Sequence, residues 1–235
     1  MKAANHDFVV LVVGDSLAAP REQVSFRDTW PFLLGRALSQ QVFLVSLVKG
    51  GATTDALRSP SSLEHISPDF VIIHLGIVDC APRLFRKRGT EASFMKRMPK
   101  VFLQGYIWFI KKIRKKSNKR SYVCPERFRG NILNYLERCS EHSVRTLFVK
   151  IGSVSDAYLE NSPRFAASRE KYNSYFDEMQ GLYPDICDVI EPLPNDGVNA
   201  EKFLLEDGYH LNSLGADHLS KALAAKMSEF LPQMR

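Results

Sequence analysis

The sequence is poor in the features that mark several protein classes. Its 235 residues include four cysteines (Cys80, Cys124, Cys139, Cys187), with no C-x-x-C pair and no histidine at ligand spacing. That argues against a zinc site and against a disulfide scaffold. No unit repeats at a fixed period and no segment is low in complexity, which excludes solenoids and arrays. Long hydrophobic runs are also missing. Residues Val101 to Ile110 form the longest nearly unbroken apolar run beyond the amino-terminal segment, far short of the roughly 20 residues a spanning helix needs. The opening MKAANHDFVVLVVGDS carries one lysine, and its apolar run leads into Gly-Asp-Ser rather than a small-residue cleavage site. It reads as a first core strand and not as a signal peptide, so a cytoplasmic, reduced protein is expected.

Acidic residues are scarce in one stretch. Residues 83–129 hold 16 Lys+Arg against two acids, Glu91 and Glu126, a local charge of +14. The net charge is +6, so the other segments together carry 6 − 14 = −8. One basic block on an otherwise acidic chain points to an anionic surface or ligand near that block.

The remaining composition, 45% hydrophobic and 25% charged, is that of a soluble globular protein. The length suits one α/β domain over residues 1–235. Short apolar runs at Phe8–Val13, Val42–Val48, Phe70–Leu75, Thr146–Ile151 and, more weakly, Ile186–Ile190 read as buried parallel strands. Helical patterns lie between and after them, at Trp30–Gln40, Glu126–His142, Pro163–Gly181 and Ser213–Leu231. The alternation predicts a three-layer α/β/α sandwich around a parallel sheet of about five strands. Ligands of such sheets gather outside the carboxyl ends of the strands. The loops to search are therefore VVGDSLAAPR, VKGGATTDALR and HLGIVDCAPR, together with LLEDGYHLNSLG before the last helix.

Ser16 follows the first strand where a turn would expose backbone N–H groups, although Gly-Asp-Ser is also an ordinary turn tripeptide. A serine hydroxyl needs a base, and a histidine base needs a carboxylate to fix its tautomer. Asp207-Gly208-Tyr209-His210 can deliver both groups from one loop, but it reads equally as a turn before a helix capped by Asn212 or Ser213. Taken together, GDSL near the start, a glycine in the G-A-T-T loop and D-G-x-H before the last helix resemble the SGNH/GDSL hydrolase superfamily. The likeness runs from Phe8 to the C-terminal helix. It implies a flavodoxin-like sheet and esterase chemistry on Ser16, His210 and Asp207. It also implies an oxyanion held by the backbone N–H groups of Ser16 and Gly51.

The third block of that family carries G-x-N-D, whose asparagine donates to the oxyanion. Here the block reads Gly76-Ile77-Val78-Asp79, and Val78 has no side-chain donor. Loss of one such donor costs about 10²–10³ in rate. The G-I-V-D-C-A-P-R form resembles a subgroup associated with bacterial surface-glycan genes. Arg21 and Arg83 sit on the same loops and could supply hydrogen bonds to the oxyanion or grip an anionic substrate group. The competing reading is loop-ordering ion pairs, Asp79–Arg83 or Asp28–Arg21. Cys80 reads as an inert buried thiol, and His74 as a hydrogen-bonded core residue.

Within the basic block, a helical insert is expected over about 83–129, and PKVFLQGYIWFIKKIRKKSNKR (99–120) has the profile of an amphipathic helix. It suits peripheral contact with an anionic membrane, at the inner face for a cytoplasmic protein, or an ordinary lid or packing helix. Nucleic acid is not expected, since no recognised motif is present. The expected function is deacylation, foremost deacetylation, of a carbohydrate or surface-glycan precursor, with no metal and no organic cofactor. Acyl transfer through the same three residues, or glycan binding without catalysis, are the alternatives. No sequence signal bears on oligomeric state.

Overall fold

In the computed structural model, which describes residues 8–38, 42–59, 61–82, 90–114, 121–194 and 200–230, five apolar segments form one sheet. They are β1 (Phe8–Gly14), β2 (Val42–Val48), β3 (Phe70–His74), β4 (Arg145–Val149) and β5 (Cys187–Ile190). The strand order is β2-β1-β3-β4-β5 and every pairing is parallel. The expected α/β class and strand number are therefore observed.

The helices are α1 (Trp30–Ala37), α2 (Ser61–Ile66), α3 (Ile77–Cys80), α4 (Thr90–Arg97), α5 (Lys100–Arg114), α6 (Pro125–Glu141), α7 (Asp156–Asn161), α8 (Phe165–Leu182) and α9 (Ser213–Ser228). The period-two alternation of the strands sorts their side chains between two helical layers. Leu11, Val13, Val71, Ile73 and Phe148 face α6 and α8, which bury Phe128, Ile132, Leu136, Phe165 and Phe176 against them. Val10, Val12, Phe70, Ile72 and Leu147 face α1 and α9, where Trp30, Leu34, Leu219 and Leu223 complete a second core. On α6 the buried positions 128, 132, 135, 136 and 139 follow helical spacing.

One expectation is corrected. β2 reads as a strand buried on both faces, yet none of its residues is buried and Phe43 is 62% exposed. The cause is its place at the edge of the sheet, which local composition does not encode. The basic block spans several elements. It holds α4 and α5, and its last residues open α6, whose Phe128 is fully buried. Among the described residues, no helix is long and apolar enough to cross a membrane.

Candidate active site

The carboxyl ends of β1, β2 and β3 lie side by side, with Gly14 in register with Val48 and His74. The chain turns sharply after Gly14. Asp15 Oδ1 accepts the Leu17 N–H at 2.8 Å, and the Ala18 N–H returns to the Asp15 carbonyl at 3.3 Å. This Asx-type turn leaves Ser16 at its crest. Asp15 itself is fully buried. Burial pushes its carboxyl up to about 7 against the Leu17 bond, with the Asp79 carboxylate adding to the rise.

Ser16 Oγ lies 3.0 Å from His210 Nε2, across 194 residues of sequence. His210 Nδ1 lies 2.5 Å from Asp207 Oδ2. The loop that brings acid and base together is closed by its own backbone. Asp207 Oδ1 accepts the Tyr209 and His210 N–H groups at 3.2 and 3.0 Å. The Leu205 N–H reaches the His210 carbonyl at 2.8 Å. Gly208 sits at φ 79°, and a Cβ there would lie 2.1 Å from Ser155 Oγ, so only glycine fits. Asn212 then caps α9 by accepting the Leu214 and Gly215 N–H groups.

These contacts set the charge states. Burial raises the Asp207 carboxyl, but the bonds from the His210 ring and from the His210 and Tyr209 N–H groups outweigh it, and the pKa falls below the ordinary value. For His210, burial lowers the pKa below 6.5, Asp207 opposes the shift, and the Arg21 charge adds to it. The imidazole is thus neutral at pH 7, the form a proton acceptor requires.

A cleft of about 640 Å³ opens over Ser16 and His210. Gly50, Gly51, Ile77, Val78 and Ala81 form its apolar wall, and Tyr122, Tyr158 and Tyr209 line the rest. Gly51 occupies a left-handed turn at φ 70°, closed by the Ala52 N–H on the Lys49 carbonyl at 2.9 Å. Val78 is at the cleft, and among the described residues no asparagine or glutamine lines it. The carboxamides packed behind it are already engaged: Asn131 with Thr54 and Asp55, Asn173 with the Ile151 backbone.

Asp79 does not belong to the substrate side. It is fully buried and accepts both the Thr54 N–H at 3.0 Å and the Thr54 hydroxyl at 2.6 Å. Burial nevertheless pushes its carboxyl up to about 7. It ties the β3 loop to the β2 loop. Arg21 also lies behind the cleft and not in it. Its Nη2 donates to the Ser16 carbonyl, and its Nη1 stands 3.9 Å from Asp207 Oδ2. Asp28 bonds instead to Ser25. Arg83, expected beside the oxyanion, lies outside the described residues. His74 is a core residue as expected, but without the hydrogen bond. Both its ring nitrogens lack a partner among the described residues, its ring lies 5.7 Å from that of Trp30 at a tilt of 55°, and burial drives its pKa down to about 3. Cys80 is buried.

The three tyrosines escape a reading by motif. Tyr209 sits inside the D-G-x-H block, while Tyr122 and Tyr158 come from elements far apart in sequence. Among the described residues, no group of three or more His, Cys, Asp or Glu side chains is placed to hold a metal ion.

A parallel five-stranded sheet with Ser, His and Asp meeting at its carboxyl edge is an architecture of ester hydrolases. Residues 12–218 match the model of the GDSL-like lipase/acylhydrolase family, and the chain belongs to that family. By class it is a carboxylic ester hydrolase. Among solved structures it resembles a lipase/acylhydrolase from Enterococcus faecalis, at 14% identity and a TM-score of 0.64 over 94% of this chain and 95% of that one. The psychrotrophic esterase EstA from Pseudoalteromonas sp. follows at 16% identity and TM-score 0.59, covering 96% and 100%. A carbohydrate acetylesterase family member from Sinorhizobium meliloti matches at 15% identity and TM-score 0.57, covering 96% and 99%. No curated protein matches the sequence.

Proposed function

We propose that the protein is a serine esterase that removes a short acyl group, acetyl foremost, from a carbohydrate or surface-glycan precursor. The observation that carries this reading is the 3.0 Å approach of Ser16 Oγ to His210 Nε2, with Asp207 on the far side of the ring. Ser16 Oγ attacks the ester carbonyl as its proton passes to His210. The tetrahedral intermediate collapses, the carbon–oxygen bond to the sugar breaks, and His210 returns the proton to the leaving alkoxide. Water then attacks the acyl carbon, giving its proton to His210. The acid departs, and Ser16 recovers its proton. Asp207 steadies the imidazolium at both stages.

The backbone N–H groups of Ser16 and Gly51 receive the oxyanion, and Val78 contributes shape alone. With Ile77 and Ala81 it makes an apolar wall beside the nucleophile, suited to the methyl end of an acyl group. The tyrosines suit the other half of the substrate. A pyranose has apolar faces and a polar rim, which aromatic rings carrying hydroxyls match. Tyr209 lies with its ring centroid 4.0 Å from that of His210, and Tyr158 is 5.4 Å from Tyr209. The likeness to a carbohydrate acetylesterase family member supports this substrate class.

A fluorophosphonate probe tests the reading, paired with acetate release from an O-acetylated polysaccharide. Wild type should label at Ser16 and release acetate, and His210→Ala should do neither. Absence of labelling in the wild type, or labelling that survives His210→Ala, overturns it. Product analysis with an acceptor glycan present shows whether the acyl group goes to water or to a sugar hydroxyl.

A further inference from the structure

We propose that the outer face of α5 is a docking surface for an anionic lipid bilayer. The sequence shows apolar residues nearly all round this segment, and the structure divides them. Ile110 is buried, while Leu103, Tyr106 and Ile107 are half-buried beside it. Phe102 and Phe109, at the edge of that face, are 70% and 54% exposed, and Trp108, across the helix from it, is 64% exposed. Phe102 and Phe109 are seven residues apart, hence nearly in line along the helix, and Trp108 flanks them. Phe94 of α4 is also exposed and meets Tyr106 with ring centroids 6.0 Å apart. Aromatic surface of this extent, presented by one short helix pair, marks an interaction site.

Charge selects the occupant. The surrounding segment, 83–129, carries a net +14. A second copy of the chain would set that charge against itself. A bilayer rich in anionic lipid attracts it and also offers the headgroup boundary, where Trp and Phe side chains settle. The position in the chain adds a consequence for the enzyme. Ala81 before the excursion and Tyr122 after it both line the cleft over Ser16. Both ends of the excursion are thus tied to the cleft in the chain, and docking through α5 would serve an enzyme whose substrate, on the function proposed above, is an acylated, lipid-linked glycan.

Tryptophan fluorescence gives a direct test. Trp30 is fully buried, so Trp108 is the tryptophan that reports on contact with vesicles. With vesicles of about one-third phosphatidylglycerol in phosphatidylcholine, the emission should shift to the blue and the protein should co-sediment. Phosphatidylcholine alone should bind at least tenfold more weakly, and raising salt from about 0.1 to about 0.5 M should release the protein. The double variant Phe102→Ser/Phe109→Ser keeps Trp108 and should bind anionic vesicles at least tenfold more weakly. It should still hydrolyse a soluble aryl acetate like wild type, which shows that it is folded.

Equal binding to neutral and anionic vesicles, or no fluorescence response to either, overturns the proposal. So does unchanged vesicle binding by the double variant. Self-association or single-stranded RNA binding that depends on Phe102 and Phe109, without vesicle binding, also overturns it. The vesicle assay uses no ester, so its outcome is separate from that of the probe experiment on Ser16.

Discussion

The cleft and the α4–α5 excursion are built on opposite plans. At the cleft, three carboxylates behind the nucleophile are each held by a second group: Asp15 by Leu17, Asp79 by Thr54, Asp207 by two backbone N–H groups and a ring. Burial there is deep enough to displace pKa values in several groups. On α5, by contrast, large aromatic rings face outward. Precise positioning demands intramolecular bonds, whereas a docking face needs surface free to meet something else. The difference sets the part of the chain proposed to do chemistry apart from the part proposed to place it.

Substitutions can break that division or sharpen it. The largest effect belongs to Ser16→Ala, which should lower kcat toward an aryl acetate by about 10⁴–10⁶ while leaving the melting temperature within a few degrees. An intact rate would dissolve the cleft's claim to chemistry. Restoring a donor with Val78→Asn should raise kcat by up to about 10²-fold, if the amide reaches the place from which Val78 now faces the cleft. Steady-state kinetics on the same ester decide it, and a fall in rate would mean that the wall's shape matters more than the donor.

Arg21→Gln should cost about tenfold in kcat/KM near pH 6, with a smaller loss at pH 8. Its charge helps hold His210 below 6.5, so the wild-type rate should rise with pH along a limb centred below that value. Removing the charge should move the limb upward; a limb that stays in place would reduce Arg21 to a loop anchor. Stability answers to the same contacts. Gly208→Ala forces a Cβ into Ser155 and should cost about 2–4 kcal/mol in denaturant unfolding.

The Asp15 and Asp79 carboxyls have pKa values near 7, above those of the unfolded chain, so they favour the fold at low pH and weaken it as pH rises from about 4 to 7. Asp15→Asn should flatten that decline, lifting the melting temperature at pH 8 by roughly 2–4 °C relative to wild type.

Much of this was legible in the residues. Continuous Val/Ile/Leu runs declare strands whose two faces are both covered, and β1, β3 and β4 obey. β2 has the same composition but stands at the edge, because strand order depends on crossovers and not on local pattern. The one-turn α3 is too short for any periodicity to stand out. At the site, GDSL and D-G-x-H point to Ser16, Asp207 and His210 because each motif compresses its geometry into four residues. Tyr122 and Tyr158 converge only through the fold. Asp79 and Arg21 were visible as charged loop residues, but whether they face substrate or interior is a matter of burial. A motif contains no such information.

Ser155 joins two pieces of the molecule that would otherwise be adjustable separately. Its hydroxyl caps α7 by accepting the Tyr158 N–H, its own N–H bonds the Gly208 carbonyl, and its Oγ leaves no room for a side chain at 208. The helix that carries Tyr158 and the hairpin that carries the acid–base pair are thus bolted at one point. Reshaping the Tyr158 side of the pocket through α7 would consequently retune proton transfer at His210. Specificity and rate in this scaffold are best evolved together.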